Sequence, residues 1–436
     1  MSLPIVAIVG APNVGKSTLF NRIIGERQAI VDDQAGVTRD RLYGRATWLT
    51  RSFRLIDTGG IEIANTPFQD QIRAQVEIAI EEADVIIFLT DAKLGLTKDD
   101  RMIAKMLFQS QKPVVLVVNK SDNEELQLFV NEFYALGFGQ PVTMAATHGI
   151  GVGDLLDEVV KKIPDAKDKT PDDDVIRFCV VGRPNVGKSS LVNAMLNQER
   201  VIVSDISGTT RDAIDTPFVR SGQNYEVIDT AGLLKRGRIY ESVDKYAALR
   251  ALSAIDRSDI VLLVIDADNG IIEQDKHVAG YAIESNKPIV IVVNKWDLIT
   301  KDTSTMDEFT KKVRKEFKFL DYASIVYVSA KERTRISTVF AEIEAAYSSY
   351  NLRIGTSPLN DVIQDAQIVN PAPYFNKGRI KIYYANQVAI KPPTFVLFVN
   401  NPKHMHFSYT RYLENRLRET FELRGTPVKI ICRERK

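Results

Sequence analysis

Gly182-Arg183-Pro184-Asn185-Val186-Gly187-Lys188-Ser189 is the stretch on which the reading of this chain turns. Before it runs Val175-Ile176-Arg177-Phe178-Cys179-Val180-Val181, a β-branched and aromatic run of the kind a buried strand carries. After it, Ser190-Leu191-Val192-Asn193-Ala194-Met195-Leu196 has a helical pattern opened by hydroxyl residues. Strand, glycine-rich turn, Lys-Ser and helix together are the context a phosphate-binding loop requires. Gly182 and Gly187 let the backbone curl so that successive N–H groups face one phosphate, and the helix N-terminus adds partial positive charge. Lys188 has the reach for β- and γ-phosphates, and Ser189, followed by Ser190, offers a hydroxyl to Mg²⁺.

One chance match to this pattern in a chain of this length is roughly a one-in-a-hundred event. The chain matches twice. Gly10-Ala11-Pro12-Asn13-Val14-Gly15-Lys16-Ser17 follows its own strand, Pro4-Ile5-Val6-Ala7-Ile8-Val9, and opens its own helix over residues 18–24, beginning at Thr18. The repetition extends beyond the loops. Lys16 and Lys188 are 172 residues apart, as are Asp57 and Asp229, while Asn119 and Asn294 are 175 apart. Whole domains are duplicated, not short repeats.

Each copy carries further punctuation in the same order. A loop with Gly36-Val37-Thr38-Arg39-Asp40 precedes a strand ending at Asp57-Thr58-Gly59-Gly60; its counterparts are Gly208-Thr209-Thr210-Arg211-Asp212 and Asp229-Thr230-Ala231-Gly232. Strands over residues 84–89 and 114–118 follow, the latter ending at Asn119-Lys120-Ser121-Asp122, with a helix over 67–83 between. Asn294-Lys295-Trp296-Asp297 stands in the second copy. Strands alternating with helices predict an α/β fold: two tandem P-loop domains with doubly wound, mostly parallel sheets, whose function sits at the carboxyl ends of the strands.

The chemistry follows from those ends. A carboxylate at Asp122 or Asp297 accepts hydrogen bonds from guanine N1–H and its 2-amino group; adenine offers neither and would leave the acid unpaired. This selects GTP. Magnesium takes few protein ligands beside phosphate and water oxygens. Ser17 and Ser189 suit it directly, Asp57 and Asp229 through water, and Thr38 and Thr210 are hydroxyls that would close over the metal while a γ-phosphate is present. Gly60 and Gly232 offer N–H groups to that phosphate.

Of the 436 residues 44% are hydrophobic and 26% charged, ordinary for a soluble globular chain. No apolar run approaches the ~18 residues of a membrane span, and Met1-Ser2-Leu3-Pro4 leads straight into a strand, so a cytoplasmic monomer without a signal peptide is expected. Cys179 and Cys432 are expected to be buried thiols in separate domains. The net charge of +1 hides an asymmetry: residues 351–436 hold 14 Lys+Arg against 6 Asp+Glu, a net of +8. A polyanionic partner for that piece follows. The expected boundaries are 1–163 and 175–350 for the two α/β domains, 164–174 for an acidic linker and 351–436 for the basic domain.

In that last piece a helix opened by Ser357-Pro358, strands over 379–384 and 394–399, a helix over 408–421 and a strand over 427–432 give the order α-β-β-α-β. It resembles a KH-like domain, an RNA-binding module, but has no Gly-x-x-Gly loop. Taken whole, the chain resembles the EngA/Der family of bacterial tandem GTPases, with two G domains and a KH-like domain. That resemblance implies a ribosome-associated GTPase assisting assembly of the large ribosomal subunit, with rRNA and ribosomal proteins as partners. It also matches Val328-Ser329-Ala330-Lys331 to the loop that closes over the base; Met144-Ala145-Ala146-Thr147-His148 stands in the first copy. Ile61 and Leu233 occupy the place where Ras-like proteins keep a water-orienting glutamine, so slow intrinsic hydrolysis is expected. Asn13 and Asn185 resemble the asparagine that supports K⁺ in relatives with this substitution. Two other readings compete: a binding module with one permanently loaded G domain, and an RNA-modification or translation GTPase.

Overall fold

The computed structural model describes residues 3–25, 43–49, 51–60, 68–121, 129–164, 175–198, 201–203, 215–229, 244–300, 302 and 304–435. It holds two compact units, one built mainly on Met1–Asp172 and the other on Asp173–Arg238 with Ala254–Lys436.

The first unit runs β1 (Ile5–Val9), α1 (Lys16–Gly25), β2 (Tyr43–Trp48), β3 (Arg51–Asp57), α2 (Phe68–Glu82), β4 (Val85–Asp91), α3 (Lys98–Ser110), β5 (Val114–Asn119), β6 (Val142–Thr143) and α4 (Val152–Lys162). Its sheet has the order β2-β3-β1-β4-β5-β6. All pairs are parallel except the β2–β3 hairpin, which the sequence reading did not foresee. The central strands β1, β4 and β5 bury both faces, which is why they read as continuous apolar runs and not as alternation, whereas β2 and β3 toward the edge carry Arg45, Arg51 and Arg54. Ala7, Val9, Ile86 and Phe88 pack toward α2 and α3, while Val6, Ile8, Ile87 and Leu89 pack toward α1 and α4.

The second unit repeats this plan. From Val175 the chain runs β7 (Val175–Val181), α5 (Lys188–Leu196), β8 (Val201–Val203), β9 (Thr216–Arg220), β10 (Gln223–Ile228), α6 (Asp244–Arg257), β11 (Ile260–Asp266), α7 (Glu273–Glu284), β12 (Ile289–Asn294), α8 (Thr305–Glu316), β13 (Ser324–Tyr327) and α9 (Ile336–Asn351), all of these but the stretch of α6 up to Ser253 belonging to the second unit. The order β13-β12-β11-β7-β10-β9-β8 matches the first sheet and adds β8 at the edge.

The chain then forms α10 (Thr356–Val369), the two-residue pair β14 (Tyr374–Phe375) and β15 (Gly378–Arg379), β16 (Ile382–Ala389), β17 (Thr394–Val399), α11 (Phe407–Thr420) and β18 (Lys429–Glu434). The predicted α-β-β-α-β order stands, with one shift. The strand expected over 379–384 runs instead over Ile382–Ala389. Its polar residues Asn386 and Gln387 hid it. Gln387 is 5% exposed, and its amide accepts from the Ile354 N–H and donates to the Leu352 carbonyl.

This lobe is hooked to the second G domain by main-chain bonds. The Ile289 N–H donates to the Gly425 carbonyl (2.9 Å), the Gly425 N–H to Tyr322 O (3.2 Å) and the Lys391 N–H to Tyr350 O (3.0 Å). Gly425 sits at φ +62°, and a Cβ there would lie 3.0 Å from the Ala346 Cβ, so only glycine fits without strain. Cys179 is buried as expected, whereas Cys432 is only half-buried; both are free. Among the described residues no helix is long and apolar enough to cross a membrane.

Candidate functional site

Both phosphate loops lie at the carboxyl ends of central strands, β1 and β7, and open α1 and α5. Gly15 (φ +103°) and Gly187 (φ +94°) hold the left-handed conformation, and a Cβ would come within 2.5 and 2.3 Å of the Asn119 and Asn294 side-chain nitrogens. Backbone shape and close approach both demand glycine.

The two loop lysines fold back on their own turns. Lys16 Nζ donates to the carbonyls of Gly10 (2.8 Å) and Ala11 (2.9 Å), and Lys188 Nζ to those of Gly182 (2.8 Å) and Arg183 (2.8 Å). Lys16 is 6% exposed. Burial lowers its pKa to about 8 against the upward pull of Asp57. A buried ammonium held only by carbonyls and one carboxylate is a ready counter-charge for a phosphate.

Ser17 Oγ donates to Asp57 Oδ2 at 2.6 Å, and Asp57 Oδ1 accepts the Gly59 N–H at 2.9 Å. Hydroxyl and carboxylate oxygens thus sit side by side beneath the loop. That oxygen pair, without a wider acidic cluster, fits a hard cation that draws most of its ligands from phosphate and water. Among the described residues no group of three or more His, Cys, Asp or Glu could hold a metal alone. Gly60 closes the short turn Thr58–Gly60, and the Thr58 hydroxyl pins it to the Ile8 carbonyl (2.7 Å). In the second copy Asp229 stands at φ +61° with its N–H donated to Asp215 Oδ1 (3.0 Å). Ser189 and Ser190 open α5 as Ser17 and Thr18 open α1. Thr38, Thr210, Asp122, Gly232, Arg39, Arg211, Ile61 and Leu233 lie outside the described residues, as does Lys235-Arg236-Gly237-Arg238, the basic stretch after the second Asp-x-x-Gly that the sequence offers as a charge moving with nucleotide state.

Asn119 and Asn294 brace two loops at once. Asn119 Nδ2 donates to Val14 O (2.8 Å) while Oδ1 accepts the Ala146 N–H (3.0 Å). Asn294 does the same to Val186 O (2.8 Å) and the Ala330 N–H (3.0 Å). Each amide ties the phosphate loop to the loop expected over the base. Ala146 and Ala330 are thereby equivalent, so Ala145 stands where Ser329 does. Ser329 Oγ donates to Asp297 Oδ1 (2.5 Å) and accepts the Glu332 N–H (3.1 Å). The bridges Ala145–Ile150 and Ser329–Thr334 show that the first loop keeps the same backbone shape without the hydroxyl.

Sequence reasoning missed two acids. Asp91 and Asp266, each 2% exposed at the end of an apolar strand, hold Lys120 (2.5 Å) and Lys295 (2.7 Å). Lys120 Nζ also donates to Asn13 O (3.0 Å). Their shared offset of 175 residues, the same as between the asparagines, was the available signal. A second reading needs correction. Arg183, standing where the first copy has Ala11, reads in the sequence as a charge added beside the phosphates. Its Nε instead lies 3.4 Å from the fully buried Asp275, and Nη2 donates to Gly270 O (3.1 Å). The guanidinium neutralises a core acid.

Two repeated phosphate loops, each followed by an Asn-Lys-x-Asp strand end, and a small α/β lobe define a tandem P-loop GTPase with a KH-like appendix. The family model described as "50S ribosome-binding GTPase" matches residues 5–120 and again 177–295. The one described as "KH-domain-like of EngA bacterial GTPase enzymes, C-terminal" matches residues 353–433. Proteins named GTPase Der are similar over the whole length: that of Bacillus cytotoxicus is 58% identical over 435 residues, covering 100% of both chains. That of Geobacillus kaustophilus is 58% identical over 436 residues, and that of Staphylococcus aureus strain JH9 59% over 435, again covering 100% of each. The chain belongs to the EngA/Der family of GTPases.

Proposed function

We propose that both G domains bind and hydrolyse GTP and that their nucleotide state governs docking on the large ribosomal subunit or its precursor, assisting its assembly. The observation that carries this reading is the doubled asparagine brace, which joins a phosphate loop to a base loop in each domain. The domains are taken as 1–163, 175–350 and 351–436. Lys16 and Lys188 turn from their loop carbonyls to the β- and γ-phosphates, which restore the favourable surroundings of a full charge. Asp122 and Asp297 accept from guanine. Ser17 with Asp57, and Ser189 with Asp229, would hold Mg²⁺, joined by Thr38 and Thr210 when the γ-phosphate is in place; the ion supplies charge neutralisation at the phosphate oxygens. Gly60 and Gly232 turn N–H groups to the same phosphate. With Ile61 and Leu233 following these glycines, hydrolysis is slow, and Asn13 and Asn185 would support a K⁺ ion that raises it.

Sedimentation of the protein with purified 50S and 30S subunits, run in parallel with a non-hydrolysable GTP analogue, GDP and no nucleotide, tests the proposal. Nucleotide-dependent association with 50S particles is expected. Association with neither subunit, together with binding to free tRNA, would overturn it in favour of an RNA-modification role.

A further inference from the structure

The three-stranded sheet of the C-terminal lobe has one face against its helices and one face open. Phe395, Leu397, Val399, Ile430 and Cys432 point to α10 and α11. Strand alternation therefore puts their neighbours on the opposite face. Two rows cross that face. Register places Tyr384 beside Phe398 and Phe398 beside Arg433; the second row is Asn386, Val396 and Ile431, in which Val396 is 2% exposed between two exposed neighbours, so the accessible surface is carried by the two outer strands and the half-buried Phe398. Lys429, paired with Thr394, lies at the foot of the face.

This surface has a definite chemistry. Tyr384 and Phe398 stack with ring centroids 4.2 Å apart at 14°, and Tyr384 is 42% and Ile431 39% exposed. Arg433 and Lys429 are exposed at the two ends of β18. No position in either row is acidic. At the adjoining strand end a second exposed ring, Tyr383, lies under Arg435 (5.0 Å) and Lys381 (5.5 Å). A stack of two flat rings flanked on the neighbouring strand by Arg433 and, four residues or about 13 Å away, by Lys429 suits a chain of planar bases joined by phosphates. Aromatic faces take bases without regard to sequence, and cations along the track take the backbone.

We infer that this open sheet face binds single-stranded RNA, with a base stacked on the exposed face of Tyr384 and phosphates on Lys429 and Arg433. The choice of RNA over an acidic peptide rests on the rings: a carboxylate chain gains nothing from a stacked aromatic pair. The inference also rests on the ribosomal reading above for RNA as the polymer. It places the contact on the sheet and not on a Gly-x-x-Gly clamp, which this lobe lacks.

The test uses the full chain and a 5′-fluorescein-labelled ten-nucleotide RNA of mixed sequence, read by anisotropy at graded KCl, with mant-GDP titration of every variant as the measure of intact G domains. Tyr384→Ala should weaken binding about tenfold at constant salt, the order expected for one stacked base, whereas Tyr384→Phe should bind as the parent does. Lys429→Ala with Arg433→Ala should flatten the log–log salt slope by roughly 1.4, two phosphates' worth for a single strand. If the parent binds RNA and all three variants match it within twofold, the face is not the site. Equal binding of polyglutamate, lost in the Lys429 and Arg433 variant but not in Tyr384→Ala, would assign the face to an acidic protein and overturn the inference. A parent that sediments with 50S particles yet ignores the oligonucleotide sinks this inference alone; one that does neither sinks the ribosomal reading too.

Discussion

The two G domains are built to one plan and differ in how each handles a buried acid behind its phosphate loop. In the second, Asp275 is fully buried and faces Arg183 across 3.4 Å. In the first, Asp100 is 1% exposed, the loop residue is Ala11, and the acid is held by the Thr97 N–H and hydroxyl at the start of α3. Burial raises both carboxyl pKa values, but only the second domain supplies a cation against the cost. The two copies thus share an N–H cap on this acid, from Thr97 on Asp100 and from Ile272 on Asp275, and differ in the partner added to it: the Thr97 hydroxyl in the first, the Arg183 guanidinium, which stiffens the loop from behind, in the second. Tryptophans report each domain separately. Trp48 donates to Asp157 (2.6 Å) in the first, and Trp296 packs on Tyr327 (ring centroids 4.5 Å apart) in the second.

The largest effect should come from removing the cation. Arg183→Ala leaves Asp275 with the Ile272 N–H but no cation and should cost the second domain about 3 kcal/mol, shifting the Trp296 urea transition while the Trp48 transition holds its midpoint. A shared shift would show that the domains do not differ as described.

Next comes the feature they have in common. Asn119→Ala and Asn294→Ala each strip partners from two main-chain groups at about 1–3 kcal/mol apiece. Each should weaken mant-GDP binding on the order of a hundredfold in its own domain only. Loss in both sites from one change would mean the sites are coupled.

The pH response should separate the domains further. Lys16 has a pKa of about 8 when folded against a usual value near 10.5. The unfolded chain therefore holds more protons between those values, and stability rises with pH across that window, by up to about 1.4 kcal/mol per unit. Comparison of the parent with Lys16→Met in nucleotide-free urea titrations followed at Trp48 isolates this gain, and an identical pH trend in both would refute it.

The smallest change should make one domain resemble the other. Ser329→Ala removes the hydroxyl from Asp297 and should cost about 1 kcal/mol of GDP binding, roughly fivefold, by calorimetry on the second site. The converse Ala145→Ser should tighten the first site by less.

Much of this was legible beforehand because phosphate loops and base-reading turns demand particular residues at fixed spacing. Strands such as β4 and β12 were readable because burial on both faces leaves an apolar run that turns polar only at the carboxyl end. What escaped depended on partners far along the chain. Asp91 and Asp266 look like ordinary polar strand ends until Lys120 and Lys295 fold onto them. Arg183 reads as a charge beside the phosphates until the start of α7 delivers Asp275 to it. Gln387 disguises a strand because its amide does the work of a main-chain group for residues 352 and 354.

Strand β12 has a different task at each tip. Its last residue, Asn294, clasps the phosphate loop and the base loop, while the N–H of its first, Ile289, receives the Gly425 hook of the C-terminal lobe. Six residues, about 20 Å of hydrogen-bonded backbone, are all that separates nucleotide from lobe, with no loop between to absorb motion. Whatever partner the C-terminal lobe is anchored to, the second nucleotide pocket is anchored to it as well, so that lobe and pocket must be delivered and withdrawn as a single piece of cargo.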